Sequence, residues 1–146
     1  MEIQIRFQQE IPGLRGREIR RNLMKVLGDL GCDDKELSIL FIDDNGIARL
    51  NDRYLGRKGP TNVLAFPMVG GQEPEHYSPM LGDVVISGDT ALRESEKLGE
   101  PLEYTIDRLL IHGVLHLLGF DHTKSPDEAA LMEKEEERLM ALIREA

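Results

Sequence analysis

The chain is 146 residues long at 16.5 kDa, 40% hydrophobic and 31% charged, with one cysteine. That length suits one domain (residues 1–146), the composition excludes a disordered chain, and no apolar run approaches the roughly 20 residues of a bilayer span. The net charge of −9 is uneven, with 11 Lys+Arg against 10 Asp+Glu in residues 1–60 and 7 against 17 in residues 61–146; this argues against a nonspecific nucleic-acid coat and assigns any basic groove to the first 60 residues.

The N-terminal segment MEIQIRFQQEIPG has neither the charge nor the apolar run of an export signal. Cys32 alone can form no internal disulfide and fits a reducing compartment, so the expected location is the cytoplasm. Ile3, Ile5 and Phe7 alternate with Gln4 and Arg6 as in a half-buried strand, which Pro12-Gly13 breaks. Ile19, Leu23, Val26, Leu27 and Leu30 then recur at helical spacing, with Gly31 at the C-terminal cap and Arg17, Arg20, Arg21 and Lys25 on the wet side. Leu37 to Ile42 reads as a buried strand. Asp43 or Asp44 caps a helix through about Tyr54 carrying Ile47, Leu50 and, just beyond, Leu55.

Gly56 to Pro60 is turn-rich, Asn62 to Phe66 a short strand, and residues 67–80, with His76 and Tyr77, a Gly/Pro-rich loop in which His76 is expected to be a surface residue without a role. Val84 to Ile86 mark another buried strand, followed by a helix capped by Ser87 or Asp89 and ended by Gly99. From Pro101 a helix apolar on every side, and therefore buried, runs to Leu118. Ser125-Pro126-Asp127-Glu128 reads as a capping box for a last helix to about Ile143, with Leu131, Met132, Leu139, Leu142 and Ile143 inward. The expected fold is α+β: a mixed sheet of about four strands packed with about five helices.

Three of the four histidines fall in His112-Gly113-Val114-Leu115-His116-Leu117-Leu118-Gly119-Phe120-Asp121-His122. His112 and His116, four apart, stack on one helical face about 5–6 Å apart at Cβ, a spacing at which both can reach one ion. Gly119 turns the chain so that His122 can close a third side. Three nitrogens leave a fourth position for water, the arrangement of a catalytic zinc, although other divalent metals also suit imidazole. The spacing matches that of metzincin proteases, but their general-base Glu is replaced by Gly113, which argues against proteolysis.

HGVLHLLGFDH, with PTNVLAFP (60–67) and LGDVVIS (81–87) in the same order, resembles the YbeY family of bacterial endoribonucleases over nearly the whole chain. The resemblance implies a zincin-like metal motif on the core helix, with His112, His116 and His122 as zinc ligands. It implies a single-strand-specific, metal-dependent endoribonuclease acting on ribosomal RNA, notably at the 3′ end of the small-subunit RNA, and in ribosome quality control. Partners would be single-stranded RNA and the ribosome or its small subunit, with neither DNA nor membrane. Leu55 stands where the family often has an arginine, so Arg57 is the first candidate for a catalytic cation, with Arg53 and Lys58 nearby. Asn62 and Ala65 also replace the more usual Asp and Ser. Asp83 is a candidate to orient a histidine or cap a turn, and Asp121 to serve beside the metal or in a turn. Zinc-bound hydroxide and the ribose 2′-hydroxyl both remain open as nucleophiles. Two other functions fit the same motif: a ribosome-assembly or RNA-binding factor with a largely structural metal, and a zinc hydrolase of another substrate.

Overall fold

The computed structural model describes residues 2–68 and 80–144; most of the expected 67–80 loop, including His76 and Tyr77, lies outside them. Nine elements follow in chain order: β1 (Glu2–Phe7), α1 (Gly16–Asp29), β2 (Glu36–Ile42), α2 (Asp44–Leu55), β3 (Val63–Pro67), β4 (Met80–Ser87), α3 (Gly88–Leu98), α4 (Leu102–Leu117) and α5 (Pro126–Arg144). The expected four strands and five helices are present, in one sheet of order β1-β2-β4-β3. β1, β2 and β4 run parallel and β3 is antiparallel to β4, so the sheet is mixed and β3 is an edge. Among the described residues no helix is long and apolar enough to cross a membrane.

The strand pleat sorts the side chains into two cores. Leu37, Ile39 and Phe41 of β2 join Val84 and Ile86 of β4 in the larger core, under α1, α4 and α5. Ile42, Val85 and Leu64 point the other way and pack with Ile47 of α2. Among the described residues, α2 is the helix that packs closely on that second face. α4 touches β3 and β4 on one side and α1, α3 and α5 on the others, which explains its apolar residues all round.

Local signals set most boundaries. Asp43 Oδ1 accepts from the Gly46 amide at 2.8 Å, and Ser87 rather than Asp89 caps α3 by accepting from Thr90 N. Ser125 Oγ accepts from the Glu128 amide at 3.1 Å, the forward half of the expected box. Leu131 is a correction: it is 55% exposed, while Met132, Leu139 and Met140 are buried. Met132 and Leu139 are seven apart, two turns of one stripe, and Leu131 falls about 100° outside it.

Candidate metal centre and its groove

α4 ends in a backbone motif that places the third histidine. Gly119 N donates to His116 O at 3.0 Å and Phe120 N to Leu115 O at 3.0 Å, the paired bonds of a Schellman turn. That turn requires a left-handed residue, and Gly119 has φ +99°. Phe120 then packs back on the core, and His122 emerges beyond it.

The ligating nitrogens of His112, His116 and His122 all lie within 4.8 Å of one another. The Nε2 atoms of His112 and His116 approach to 3.1 Å. Two nitrogens bound to one tetrahedral ion at about 2.0–2.1 Å would be about 3.3 Å apart, so the helical pair is already spaced for shared ligation. The rings stand at steep angles to one another, with centroids 4.6–5.3 Å apart, so their edges rather than their faces converge. Burial, then the neighbouring imidazoles of His112 and His122, hold the His116 pKa below its ordinary value and keep the ring neutral, the form a metal ligand needs. Three imidazole nitrogens converging on one point therefore fit a divalent cation such as zinc.

Glu136, on α5, is the partner sequence reasoning missed: its Oε1 meets His112 Nδ1. A carboxylate on Nδ1 fixes the tautomer that leaves the Nε2 lone pair facing the other histidines, a common support for metal-binding histidine. Twenty-four residues separate the two, and nothing in the acid-rich run Glu133–Glu137 marks which carboxylate packs against α4.

Gly113 explains how α4 lies so close to the sheet. A Cβ there would stand 2.7 Å from Val84 Cγ1 and 3.1 Å from Cγ2. The position that carries Glu in metzincins is here pressed against β4, so only a residue without a side chain fits.

The histidines face a groove of about 700 Å³. Its opposite wall is β3 with the preceding loop, including Thr61, Asn62 and Ala65, and Arg57 and Lys124 also line it. Arg57 thus lines the same groove as the trio. The buried Asn51 amide secures its loop by donating to Gly59 O at 3.0 Å, and the Arg57 amide caps α2 on Asn51 O. Lys124 corrects the assignment of every groove cation to the first 60 residues; its signal was proximity, two positions past His122.

The other candidates divide between this groove and other parts of the fold. Asp83 does not reach the histidines: it neighbours Val84 on β4, and Val84 faces Gly113, so the pleat sends Asp83 to the opposite face of the sheet beside Leu40 and Phe66. Nor is it in a turn, since it pairs with Phe66 within the ladder. Asp121 lines the groove as a turn residue, Oδ1 accepting from Thr123 N at 2.8 Å and Thr123 Oγ1 at 2.6 Å. Those bonds hold its pKa below the usual carboxylate value. Arg53 sits outside the groove, 5.4 Å from the Tyr54 ring centroid, and Asn62 donates to Glu94 at 2.8 Å.

The family described as endoribonuclease YbeY matches residues 4–144. Proteins named endoribonuclease YbeY from Syntrophus aciditrophicus and Syntrophotalea carbinolica are 44% and 41% identical over 98% of this chain, covering 90% and 96% of their own lengths. The solution structure of TM1509 from Thermotoga maritima has the same fold, with TM-score 0.65 at 21% identity over 97% of this chain and 88% of that one. With a match that begins in the first strand and ends in the last helix, this chain belongs to the endoribonuclease YbeY family.

Proposed function

We propose that this protein is a cytoplasmic, single-domain, zinc-dependent endoribonuclease that cuts single-stranded RNA. Its proposed role is ribosomal RNA maturation, at the 3′ end of the small-subunit RNA, and ribosome quality control, in association with the ribosome or its small subunit. The observation that carries this reading is the convergence of three imidazoles on the wall of an open groove that also holds two cations. The names of the relatives support RNA as the polymer.

His112, His116 and His122 would hold the metal. Bound there, zinc would lower the pKa of a coordinated water toward about 7 and polarise a phosphoryl oxygen. The chain's own residues supply the rest. Glu136 holds His112 with its Nε2 inward. Arg57 and Lys124, which line the groove, would receive the phosphodiester oxygens, and their charge would count most where the transition state gathers negative charge. Gly113 puts no acid beside the metal, so a peptidase's usual proton acceptor is missing.

A second reading, a ribosome-assembly or RNA-binding factor with a structural metal, is favoured by Leu55, which lines the groove as an apolar side chain where the family often has arginine. One experiment separates the two. Protein purified without metal-affinity tags is assayed for metal content, then for cleavage of single-stranded RNA with and without chelator. Cleavage that stops with chelator and in His116→Ala supports the nuclease; RNA or ribosome binding with no cleavage by metal-loaded protein refutes it.

A further inference from the structure

α1 carries a charged face that the metal groove does not use. At 100° per residue, Arg20, Met24, Arg17, Arg21 and Lys25 follow one another around an arc of about 140°. Ile19, Leu23, Val26 and Leu27 occupy the buried arc beside it. All five residues of the outer arc are exposed, and no acid falls among them. Glu18 and Asp29 lie just past Lys25, and Asp29 is paired with Arg138 at 2.7 Å. A chain of net charge −9 thus presents a helix face of one sign, positive.

These cations are not consumed by the fold. Arg93, Arg108 and Arg138 are each tied to a carboxylate. Among the described residues, Arg17, Arg21 and Lys25 have no such partner and no side-chain hydrogen bond. Arg20 donates through Nε and Nη2 to Ile3 O of β1, at 3.3 and 3.1 Å, which fixes its guanidinium beside the others. Arg17, Arg21 and Lys25 succeed one another at i, i+4, a spacing at which like charges repel and weaken a helix. Nothing inside the protein offsets that repulsion, whereas a polyanion would.

The face also lies away from the metal. α1 packs on β1, α4 and α5, whereas β3 walls the histidine groove. β1 and β3 are opposite edges of the sheet, roughly 14 Å apart at the usual strand spacing. A phosphate at α1 and a phosphodiester at the metal therefore belong to different parts of one RNA. α1 has no aromatic residue, so it offers no platform for unstacked bases. Three arginines, each a fork of donors matched to phosphate oxygens, and one lysine suit the outside of a double helix, where phosphates are at the surface and bases are hidden. We propose that the outer face of α1, through Arg17, Arg20, Arg21 and Lys25, docks the sugar–phosphate backbone of a base-paired RNA stem adjoining the single strand held in the groove. The inference rests on the RNA reading of the metal groove and adds to it a preference for single strands that flank a stem.

The test uses zinc-loaded full-length protein, a short single-stranded RNA, and the same strand joined to a hairpin stem. KM and kcat are measured for both, and binding of the isolated stem is followed by fluorescence anisotropy across a salt series. The variant combines Arg17→Gln, Arg21→Gln and Lys25→Gln, which keep helix propensity and leave the Arg20 bond to β1 in place. The stem should lower KM about tenfold at low salt with kcat unchanged. The triple variant should erase that gain and leave both constants for the unjoined strand unaltered. Its slope of log stem affinity against log salt should fall by about 0.9 per lost phosphate contact. No gain in KM from the stem, a gain that survives the triple variant, or an equal loss on both RNAs would overturn the docking face while the nuclease reading stands. If neither RNA is cut, yet the stem binds and the triple variant weakens it, the nuclease reading fails and the docking face survives. Binding of a polyglutamate peptide or of anionic phospholipid vesicles that the triple variant abolishes, with the stem bound equally by both proteins, would assign the face to another partner and overturn the proposal.

Discussion

Replacing Gly113 by alanine sets two effects of opposite sign against each other. In an ordinary helix interior the change stabilises by about 1 kcal/mol, because glycine loses more backbone freedom on folding. Here the added Cβ would stand 2.7 Å from Val84 Cγ1 and 3.1 Å from Cγ2. Val84 is fully buried and cannot retreat into solvent, so α4 must back away from β4. Overpacking of this kind costs about 1–3 kcal/mol. The contact should win, leaving Gly113→Ala less stable by about 1 kcal/mol, a fall in Tm of roughly 3–4 °C for a chain of this size. Zinc affinity should fall as well, since His112 adjoins the displaced position, as measured by competition with a chromophoric chelator. A cycle with Val84→Ala isolates the contact: in that background Gly113→Ala should recover its ordinary helical gain. Thermal unfolding of the four proteins in the metal-free state gives the sign directly. A Gly113→Ala protein with raised Tm and unchanged zinc affinity would refute the close approach of α4 to β4 as the reason for glycine.

Three other outcomes are expected. Glu136→Gln, which keeps the size but removes the charge beside His112, should weaken zinc binding about 10–100-fold without unfolding the protein, measured by the same competition. Arg57→Ala and Lys124→Ala should each lower RNA affinity and reduce the slope of log affinity against log salt by about 0.7, the single-strand value per phosphate contact; an unchanged slope would remove that residue from the phosphate path. Burial, offset in part by the Asn22 amide, raises the Asp107 pKa to about 6. A carboxyl raised in the folded state binds its proton more tightly there than in the unfolded chain, so the stability it supports at low pH is lost as pH rises from about 4 through about 6. Asp107→Asn should flatten that decline and leave the protein more stable by about 1–2 kcal/mol at pH 7.5, after discounting for partial exposure; denaturant melts at pH 5 and pH 7.5 check it.

Much of this protein was legible residue by residue because the controlling physics is local. The 3.6-residue recurrence of Ile19, Leu23, Val26 and Leu27 marks α1, and all four are buried. Asp43 and Ser87 act as caps through bonds to amides three residues on. The histidine trio is legible for the same reason: His112 and His116 are one helical turn apart, and Gly119 dictates where the chain bends before His122.

What failed or was missed depends on contacts between distant segments. Asp83 adjoins a residue that does face α4, but which pleat of β4 points toward the histidines is fixed by β4 pairing with β2 and β3 and by the packing of Val84 on Gly113. Glu136 finds His112 only because α5 folds back along α4, and Lys124 shares a groove with Arg57 only because β3 forms its far wall. The sequence by itself determined the nitrogen donors, their spacing and the helix that carries them, since turn geometry and helical pitch act over a few residues. Tertiary structure alone decided which carboxylate supports them, which cations face them and which acid lies on the other side of the sheet, because side chains far apart in the chain acquire neighbours only once strand register and helix packing are fixed.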